Sequence, residues 1–478
     1  MWKENGYFQG NYVRKERNPS TLPSGNAKAG NRTEDGSGVD GELRDIRLPD
    51  SFVHRVGVQL GNELPSFLAS MNQPPFRGLR MNPFRKGAEY PFRDAVIPIA
   101  WEKYGWEIPI DSDAGVTIAH EAGAFYLQEP CAMLPAAVLN AQPEEKILDL
   151  CAAPGGKSTQ IGIAMEGKGL LVCNEPIPKR AEILSRNLER IGICNAIVTC
   201  AYPKQLEERW AEAFDGILVD APCSGEGMFR RHPESRKEWT PEKAAGCVLR
   251  QLEILDSAAK MVRPGGRMVY STCTWNPEEN EENIKRFLDH NPEFELEPFH
   301  LPGIAGDEGF FTCWLHRVRG EGQFMAQLRK KGSGKAKIQE NRDPFRITRD
   351  ALQIWEKSGI RTAKPNASFG ATLIQLAEIP DLKGIQVLRM GLHLGQIKGS
   401  ILIPDHAASM GMERPEMPET KLKKEEALKY LAGEAIAGDA RGWTLMTWQN
   451  YVLGWGKGSD GMIRNHYPKG LRNAKLIG

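Results

Sequence analysis

Two cysteines close apolar, strand-like runs of the sequence and are the first candidates for chemistry. Cys223 closes "GILVDAPC" and Cys273 closes "RMVYSTC", fifty positions further on. A cysteine on an apolar strand is usually an inert core residue, whereas a thiol at the exit of a strand can reach a ligand and act as a nucleophile. The question is therefore which elements would bring these two thiols together.

A glycine-rich turn and two carboxylates also stand at the ends of apolar runs. "ILDLCAAPGGKS" has the pattern of a strand, a tight loop around Pro154-Gly155-Gly156 and the start of a helix. Such a turn lets the backbone approach a ligand closely, and the following helix offers free N–H groups. Glu175 ends the next run about twenty residues later, where a carboxylate can bind ribose hydroxyls, and Asp220 ends another. Together they predict a nucleoside cofactor at the carboxyl edge of a sheet.

The elements that would position these residues alternate along the chain. Apolar runs such as "GLLVCNEP", "AIVTCAY" and "GILVDAPC" take turns with helical stretches, which predicts an α/β fold with a doubly wound parallel sheet. A Gly/Lys-rich polar stretch, "LRKKGSGKAKIQENRDP", is typical of a linker. The predicted divisions are a disordered tail (1–45), a small α+β N-terminal module (46–125), the α/β catalytic domain (126–330), a basic linker (331–348), a first C-terminal module (349–405) and a last α+β domain (406–478).

Length and composition exclude several classes of protein. The 478 residues are too many for one compact core, so several domains are expected. There is no apolar run near the length of a bilayer span, and the N-terminus lacks the pattern of a signal peptide. Nine cysteines, an odd number without a C-x-x-C pair, indicate reduced thiols and no zinc site. We expect a cytoplasmic protein with no membrane and no metal partner.

Charge is concentrated locally, although the formal net charge is only +1. Residues 317–349 hold ten Lys/Arg against three Asp/Glu, and residues 455–478 hold five against one. Basic blocks of this kind are either solvated faces or contacts to nucleic-acid phosphates, and the sequence leaves both interpretations open.

Three motifs in order, "DLCAAPGGKS", "DAPCSGEGMFRR" and "YSTCTWNPEENE", resemble the RNA (cytosine-5-)-methyltransferases of the RsmB/Nop2/Sun (NSUN-like) family. The similarity is greatest to the bacterial RsmF type and extends over nearly all of the chain from about residue 48. The resemblance implies a Rossmann-like methyltransferase sheet, an N-terminal RNA-binding module and C-terminal modules of which the last is a PUA-like RNA-binding domain. It implies S-adenosyl-L-methionine as cofactor and RNA as partner, with small-subunit 16S rRNA or the 30S subunit as the expected substrate.

The resemblance also assigns chemical roles. Cys273 is expected to be the nucleophile that adds to carbon 6 of cytosine, and Cys223 to assist release of the covalent adduct. Asp220 is expected to hydrogen-bond or protonate the base at nitrogen 3, after the base has left its stack. The implied cofactor contacts are Cys151, Ala152, Ala153, Pro154, Gly155, Gly156, Lys157, Glu175, Arg180 and Asp220. One departure concerns the adenine corner, where Ala201 and Tyr202 replace the acidic or amide residue that many members carry.

Substrate contacts are expected in the terminal modules, where basic residues are interleaved with aromatic ones. For Arg80 a role as a strut between domains is an equal alternative. The predicted RNA-binding residues are Arg77, Arg80, Lys457, Lys469 and Arg472, with Asn82, His466 and Tyr467 beside them.

Two other functions stay open from the sequence. A tRNA cytosine-5 methyltransferase would use the same thiol pair, which does not distinguish the two RNAs. A non-catalytic RNA-binding ribosome-assembly factor is the alternative of another class, and the presence of both thiols argues against it.

Overall fold

The computed structural model describes residues 47–85, 87 and 97–476. The tail predicted at 1–45 lies outside the described residues. Within the described ranges, no helix combines the length and the apolarity that crossing a bilayer requires. The N-terminal module contains α1 (Asp50–Leu60), α2 (Leu64–Met71), β1 (Arg77–Met81), β2 (Ile97–Pro98), β3 (Gly105–Ile108), α3 (Ile118–Glu121) and β4 (Phe125–Leu127).

The central part of the chain alternates strands and helices, as the sequence predicts. It contains α4 (Leu134–Leu139), β5 (Lys146–Asp149), α5 (Gly156–Ala164), β6 (Leu170–Asn174), α6 (Pro178–Ile191), β7 (Ala196–Thr199), α7 (Pro203–Glu207), β8 (Phe214–Asp220), α8 (Ser235–Glu238), α9 (Pro241–Met261), β9 (Val262–Thr272), α10 (Glu281–His290), β10 (Phe294–Leu296), β11 (Phe299–Leu301), β12 (Ile304–Gly306), β13 (Phe310–Cys313) and β14 (Gln323–Lys330).

These strands build one large sheet in the order β10-β14-β9-β8-β5-β6-β7, with β13 paired to β14. Strands β5 to β9 run parallel, whereas β10, β13 and β14 join antiparallel. The chain moves outward from β5 through β6 to β7, then returns to place β8 on the other side of β5. The strand order therefore reverses between β5 and β8, and open α/β sheets bind ligands at the carboxyl ends beside such a point.

Apolar residues fill both faces of the sheet, which explains why its strands read as continuous apolar runs. Leu148 and Val172 belong to the core on one face, and Ile147 and Leu171 belong to the core on the other. All four side chains are fully buried. The helices that cover the two faces thus hold the strand ends, and the loops that leave them, in fixed positions.

The C-terminal part contributes to this sheet as well as forming sheets of its own. Strand β17 pairs antiparallel with β7 and extends the central sheet, while β15, β16, β18 and β19 form a separate sheet and β20 to β24 form another. The elements are α11 (Arg349–Lys357), β15 (Ala367–Phe369), β16 (Thr372–Gln375), β17 (Val387–Met390), β18 (Leu392–Lys398), β19 (Ile401–Pro404), α12 (His406–Met410), β20 (Glu419–Lys421), α13 (Lys424–Ala432), β21 (Ile436–Ala437), β22 (Gly442–Trp448), β23 (Tyr451–Ser459) and β24 (Met462–Asn465).

The N-terminal module is packed into the rest of the chain at two places. Its helices place Phe52 and Phe67 in an aromatic cluster with Trp275, close behind the Cys273 loop. Its sheet, in the order β2-β3-β1-β4, shares a core with the last domain, in which Leu79 and Leu453 are both buried. The module is therefore held against the edge of the central sheet.

Candidate active site

The loops that leave β5, β8 and β9 meet at the carboxyl edge of the central sheet. Asp149, Asp220 and Thr272 are the last residues of these three strands. Because the strands are parallel neighbours, the loop of the glycine-rich turn and the loops of both cysteines start side by side. The arrangement answers the question raised by the two thiols.

The two thiols are in contact. The Sγ atoms of Cys223 and Cys273 are 3.2 Å apart, and the backbone N–H of Cys273 donates to Sγ of Cys223 at 3.3 Å. Both cysteines are partly exposed, although Thr272 and Thr274 on either side of Cys273 are buried. The pair is thus directed to solvent at the sheet edge instead of being packed into the core.

Asp220 links the thiol region to the glycine-rich loop. Its Oδ2 accepts from Nζ of Lys157 at 2.7 Å, and its Oδ1 accepts from the hydroxyl of Ser271 at 2.7 Å. Burial lowers the pKa of Lys157, but the charge and hydrogen bond of Asp220, together with Cys273, raise it more, so the net shift is upward. Lys157 therefore stays a cation, directed toward Asp220 and the thiols.

Buried polar side chains hold the Cys223 loop in place through hydrogen bonds. Glu279 accepts from the backbone N–H of Ser224 at 3.0 Å and from Gln251 at 2.9 Å, and Gln251 also donates to the carbonyl of Pro222 at 3.0 Å. Glu279 is fully buried. The sequence interpretation missed this residue because "PEENEENI" resembles an acidic helix start; the helix begins two residues later, and Glu279 turns inward.

The glycine-rich loop has the backbone conformation that its composition predicts. Gly155 has φ 110°, in the region that favours glycine, and the nine-residue α5 begins at Gly156. Arg180 donates to the carbonyl of Ala153 at 3.0 Å and pairs with Glu175 Oε2 at 3.0 Å. Arg180 therefore fixes the position of the Glu175 carboxylate relative to the loop.

Asp149, which sequence analysis did not single out, lies beneath this loop. Its Oδ2 accepts from the hydroxyl of Ser158 at 2.6 Å, while its Oδ1 is buried with no hydrogen-bond partner. Burial raises the pKa of Asp149 to about 7, although the Ser158 hydrogen bond lowers it. A buried carboxylate with one unsatisfied oxygen, near the buried carboxylate of Glu175, fits a cofactor that carries positive charge and hydroxyl groups.

Known proteins that are similar to this chain identify its family. A family model described as 16S rRNA methyltransferase RsmB/F matches residues 136–329. Ribosomal RNA small subunit methyltransferase F of Klebsiella pneumoniae (strain 342) is 31% identical over 471 residues, covering 90% of this chain and 98% of the relative. The chain belongs to the RsmB/F methyltransferase family. It is an RNA methyltransferase.

The terminal parts match models specific to the RsmF branch of the family. The N-terminal domain of 16S rRNA methyltransferase RsmF matches residues 48–130, and the Methyltransferase RsmF PUA domain matches residues 418–473. The chain is thus similar to RsmF proteins at both ends as well as in the catalytic domain.

Two solved structures are similar in fold to this chain. The crystal structure of PH0851 is 30% identical with a TM-score of 0.56, covering 64% of this chain and 70% of the other. A methyltransferase homologue from Pyrococcus horikoshii is 27% identical with a TM-score of 0.51, covering 61% of this chain and 98% of the other. Both likenesses support a methyltransferase architecture.

Three of the residues expected at the RNA surface of this RsmB/F chain are buried, and the expectation is corrected for them. Arg80 is 2% exposed and donates to Gln128, to the carbonyl of Gly156 and to Thr159. Arg80 is therefore the strut between the N-terminal module and the glycine-rich loop, the role that the sequence left as an alternative.

Asn82 and Tyr467 are likewise internal. The amide of Asn82 donates to the carbonyls of Gly123 and Ile191, and the hydroxyl of Tyr467 lies 3.3 Å from Glu121. Both side chains join the N-terminal module to its neighbours, and neither is available for stacking on a base.

The other expected RNA residues are accessible. Lys457, Lys469 and Arg472 are exposed, and Nζ of Lys457 lies 5.1 Å from the ring centroid of Trp443. His466 packs edge-on against the same ring at 4.5 Å. Basic groups beside an accessible aromatic ring suit RNA contact, and they stay predictions.

After β7, where the resemblance predicts the adenine contact, Ala201 is buried and Tyr202 is 43% exposed. The backbone N–H of Ala201 donates to Asn174, so it is committed to the protein. The Tyr202 ring is the group that remains accessible there, and stacking by this ring stays a prediction. Among the described residues, no group of three or more His, Cys, Asp or Glu side chains is arranged to hold a metal ion.

Proposed function

We propose that this RNA methyltransferase transfers a methyl group from S-adenosyl-L-methionine to carbon 5 of cytosine in small-subunit 16S rRNA through a covalent cysteine adduct. The observation that carries the proposal is the pair of thiols 3.2 Å apart, beside the Asp220 carboxylate and the cofactor loop. Carbon 5 of cytosine is a poor nucleophile, so a thiolate must first add to carbon 6 to make it reactive.

We assign the addition to Cys273 and the release to Cys223. The Cys273 thiol gives up its proton as its sulfur bonds to carbon 6. Nitrogen 3, where electron density accumulates, takes up that proton and donates an N–H hydrogen bond to the Asp220 carboxylate, and the proton returns to the sulfur when the adduct breaks. Carbon 5 would then take the methyl group, which S-adenosyl-L-methionine would supply when bound. The proton on carbon 5 then leaves to solvent, the carbon–sulfur bond breaks, and the Cys223 thiol hydrogen-bonds the departing sulfur. Lys157 keeps Asp220 oriented through its 2.7 Å hydrogen bond.

The residues that would hold the cofactor are those of the Cys151–Lys157 loop and Glu175. Free N–H groups at the start of α5 and the Glu175 carboxylate suit a ligand with carboxylate and ribose groups. The unsatisfied Oδ1 of Asp149 is an additional polar group at this position. A cofactor placed here lies along the same sheet edge as the thiols.

The test is in vitro methylation followed by bisulfite sequencing. Purified full-length protein is incubated with S-adenosylmethionine and total RNA from a strain that lacks the gene. We expect one or a few cytosines of 16S rRNA, as naked RNA or in 30S subunits, to become resistant to conversion. If only tRNA cytosines become resistant to bisulfite conversion, the substrate is tRNA. Complete conversion, with RNA still bound, would favour the non-catalytic assembly factor.

A further inference from the structure

A cleft of about 530 Å³ opens between the N-terminal module and the segment that follows Cys223. Gln128, just after β4, forms one wall, and Met228 and Arg231 form the opposite wall, with Arg77 at the rim. We name it the two-arginine cleft, after Arg77 and Arg231. None of the sequence motifs had marked Arg231 as a site residue.

The two-arginine cleft borders both loops of the candidate active site. On one side, a Cβ atom at Gly156 of the cofactor loop would lie 3.4 Å from Cδ of Gln128. On the other side, Met228 ends a short turn in which the N–H of Gly227 donates to the carbonyl of Cys273 at 2.9 Å. A ligand in the cleft would therefore lie beside the position of the target base.

In the described residues, the two cations of the cleft donate their hydrogen bonds to backbone carbonyls. The Arg77 guanidinium donates to the carbonyls of Ile110 and Ser112, and Arg231 donates to the carbonyl of Phe76 at 3.3 Å. Within the part of the chain that the structure describes, neither forms an ion pair. Burial lowers the pKa of Arg77, and so does the charge of Arg231, although the charges of Asp113 and Asp111 oppose these effects.

The adjacent residue, Arg230, shows what a structural arginine looks like here. It is 6% exposed and donates to both carboxylate oxygens of Glu321 at 3.0 Å. Arg231 is partly exposed, carries the same charge as Arg77 and pairs with no carboxylate among the described residues. Glu129, which also lines the cleft, accepts from backbone N–H groups of Cys131, Ala132 and Glu321. Two guanidinium groups kept together in this way are complementary to an anion, and planar guanidinium groups bind phosphate well.

We propose that Arg77 and Arg231 bind backbone phosphates of the RNA next to the target cytosine. This inference rests on the proposed function and deepens it. A second groove of about 290 Å³ adjoins the cleft and shares Arg77 and Ile110 with it. Its apolar lining includes Pro74, Pro75 and Phe76, and the paired side chains of Arg319 and Glu107 complete it. Alternating phosphate and apolar base sites are how proteins hold a single strand with unstacked bases. The RNA strand runs from the thiols through the two-arginine cleft, and a base next to the target cytosine lies in this second groove.

The experiment uses the full chain with Arg77→Gln, Arg231→Gln, the double variant, and the corresponding lysine substitutions. Binding of an unmodified 16S rRNA transcript is measured by filter retention over a series of salt concentrations. Each glutamine substitution should weaken binding roughly three- to tenfold and reduce the salt slope by about 0.7 per lost phosphate contact. The KM for RNA should rise in parallel, while the affinity for S-adenosylmethionine stays within about twofold. Lysine, which keeps the charge, should restore most of the slope.

The matched control is Arg286→Gln, because Arg286 is a surface arginine paired with Glu282 at 3.1 Å on α10, and it should leave the KM and the salt slope unchanged. An unchanged salt slope in the double glutamine variant would overturn the proposal. So would lysine variants with a salt slope as low as that of the glutamine variants, because the contact would then not depend on the charge of the side chain. If the double glutamine variant binds naked RNA normally but no longer methylates 30S subunits, the cleft binds a ribosomal protein and not RNA. Failure of the wild-type protein to methylate any RNA would overturn the proposed function alone, because the binding data still test the cleft.

Discussion

The two thiols differ in their surroundings, and the difference supports different roles. The pKa of Cys223 is raised well above its usual value by the hydrogen bond with Cys273, by burial and by the charge of Cys273. Cys223 therefore stays protonated and can donate to a sulfur beside it. Cys273 lies close enough to Lys157 for its charge to raise the pKa of that ammonium group, so the two sulfurs have different charged neighbours.

The two alanine variants should consequently fail in different ways. Cys273→Ala should form neither adduct nor product, while still binding cofactor and RNA. Cys223→Ala should attack and transfer the methyl group but release the RNA slowly, so that a protein–RNA adduct accumulates. Denaturing gel electrophoresis with labelled RNA measures the adduct. An adduct in Cys273→Ala would reverse the assignment, and full turnover by both variants would show that neither thiol is catalytic.

Glu175 should determine cofactor affinity through its charge. Its Oε1 accepts from the N–H of Ile177 at 3.0 Å, and Oε2 pairs with Arg180, so the carboxylate is fixed at the end of β6. Glu175→Gln should weaken S-adenosylmethionine binding by about 1–3 kcal/mol, measured by titration calorimetry. Glu182→Gln, at an exposed position on α6, is the control and should bind normally. Equal affinity of both variants would contradict a ribose contact by Glu175.

At the level of elements, the sequence predicts well the positions of residues that directly follow a strand. Asp220 and both cysteines follow apolar runs, and parallel packing brings such positions to one edge whatever the helices do. Strand β17 was not predictable in this way. It pairs with β7 from nearly two hundred residues later, and a short edge strand carries no local signal of its partner.

The sequence also did not predict which charged side chains are buried. Arg80 and Arg77 lie in the same strand three positions apart, and only packing decides that the first is a buried strut and the second a rim residue. Glu279 and Asp149 are internal for the same reason. Acidic residues are usually solvated, so a buried one is found only when its hydrogen-bond partners are known.

Asp149 at the end of β5 should contribute more stability at acidic than at alkaline pH. Its pKa is about 7 in the folded protein, against an ordinary value of 3.8. The stability it contributes is complete below pH 3.8 and is lost as the pH rises through 7, because the unfolded chain ionises first. Asp149→Asn removes this dependence, so the Tm of the variant relative to wild type should be higher at pH 8 than at pH 5. A constant difference between the two, measured by circular dichroism, would contradict the buried protonation.

At the scale of the whole molecule, the C-terminal part is joined to the catalytic domain by charge as well as by β17. Glu189 on α6 accepts from Arg389 of β17 at 2.8 Å and lies 2.8 Å from Nδ1 of His406, at the start of α12. One carboxylate therefore joins the catalytic domain to two later segments. These segments carry the exposed basic residues of the last domain into a fixed position relative to the thiols.

Removing the charge of Glu189 should weaken the contact between the catalytic domain and the C-terminal part. Burial would raise the pKa of Glu189, but the hydrogen bond with His406 and the charge of Arg389 lower it to about 2. The resulting stability is present above the ordinary value of 4.5 and is lost as the pH falls toward 2. Glu189→Gln leaves Arg389 buried without a partner and should cost about 3 kcal/mol at pH 7.5.

Urea unfolding of wild type and Glu189→Gln at pH 7.5, 5.5 and 4.0 measures this effect. The difference in unfolding free energy should be equal at the first two values and smaller at pH 4.0, where the unfolded chain already binds part of the proton. Glu182→Gln on the same helix controls for loss of a surface charge and should differ little from wild type. A Glu189→Gln variant as stable as the control would show that β17 and apolar packing alone hold the C-terminal part in place.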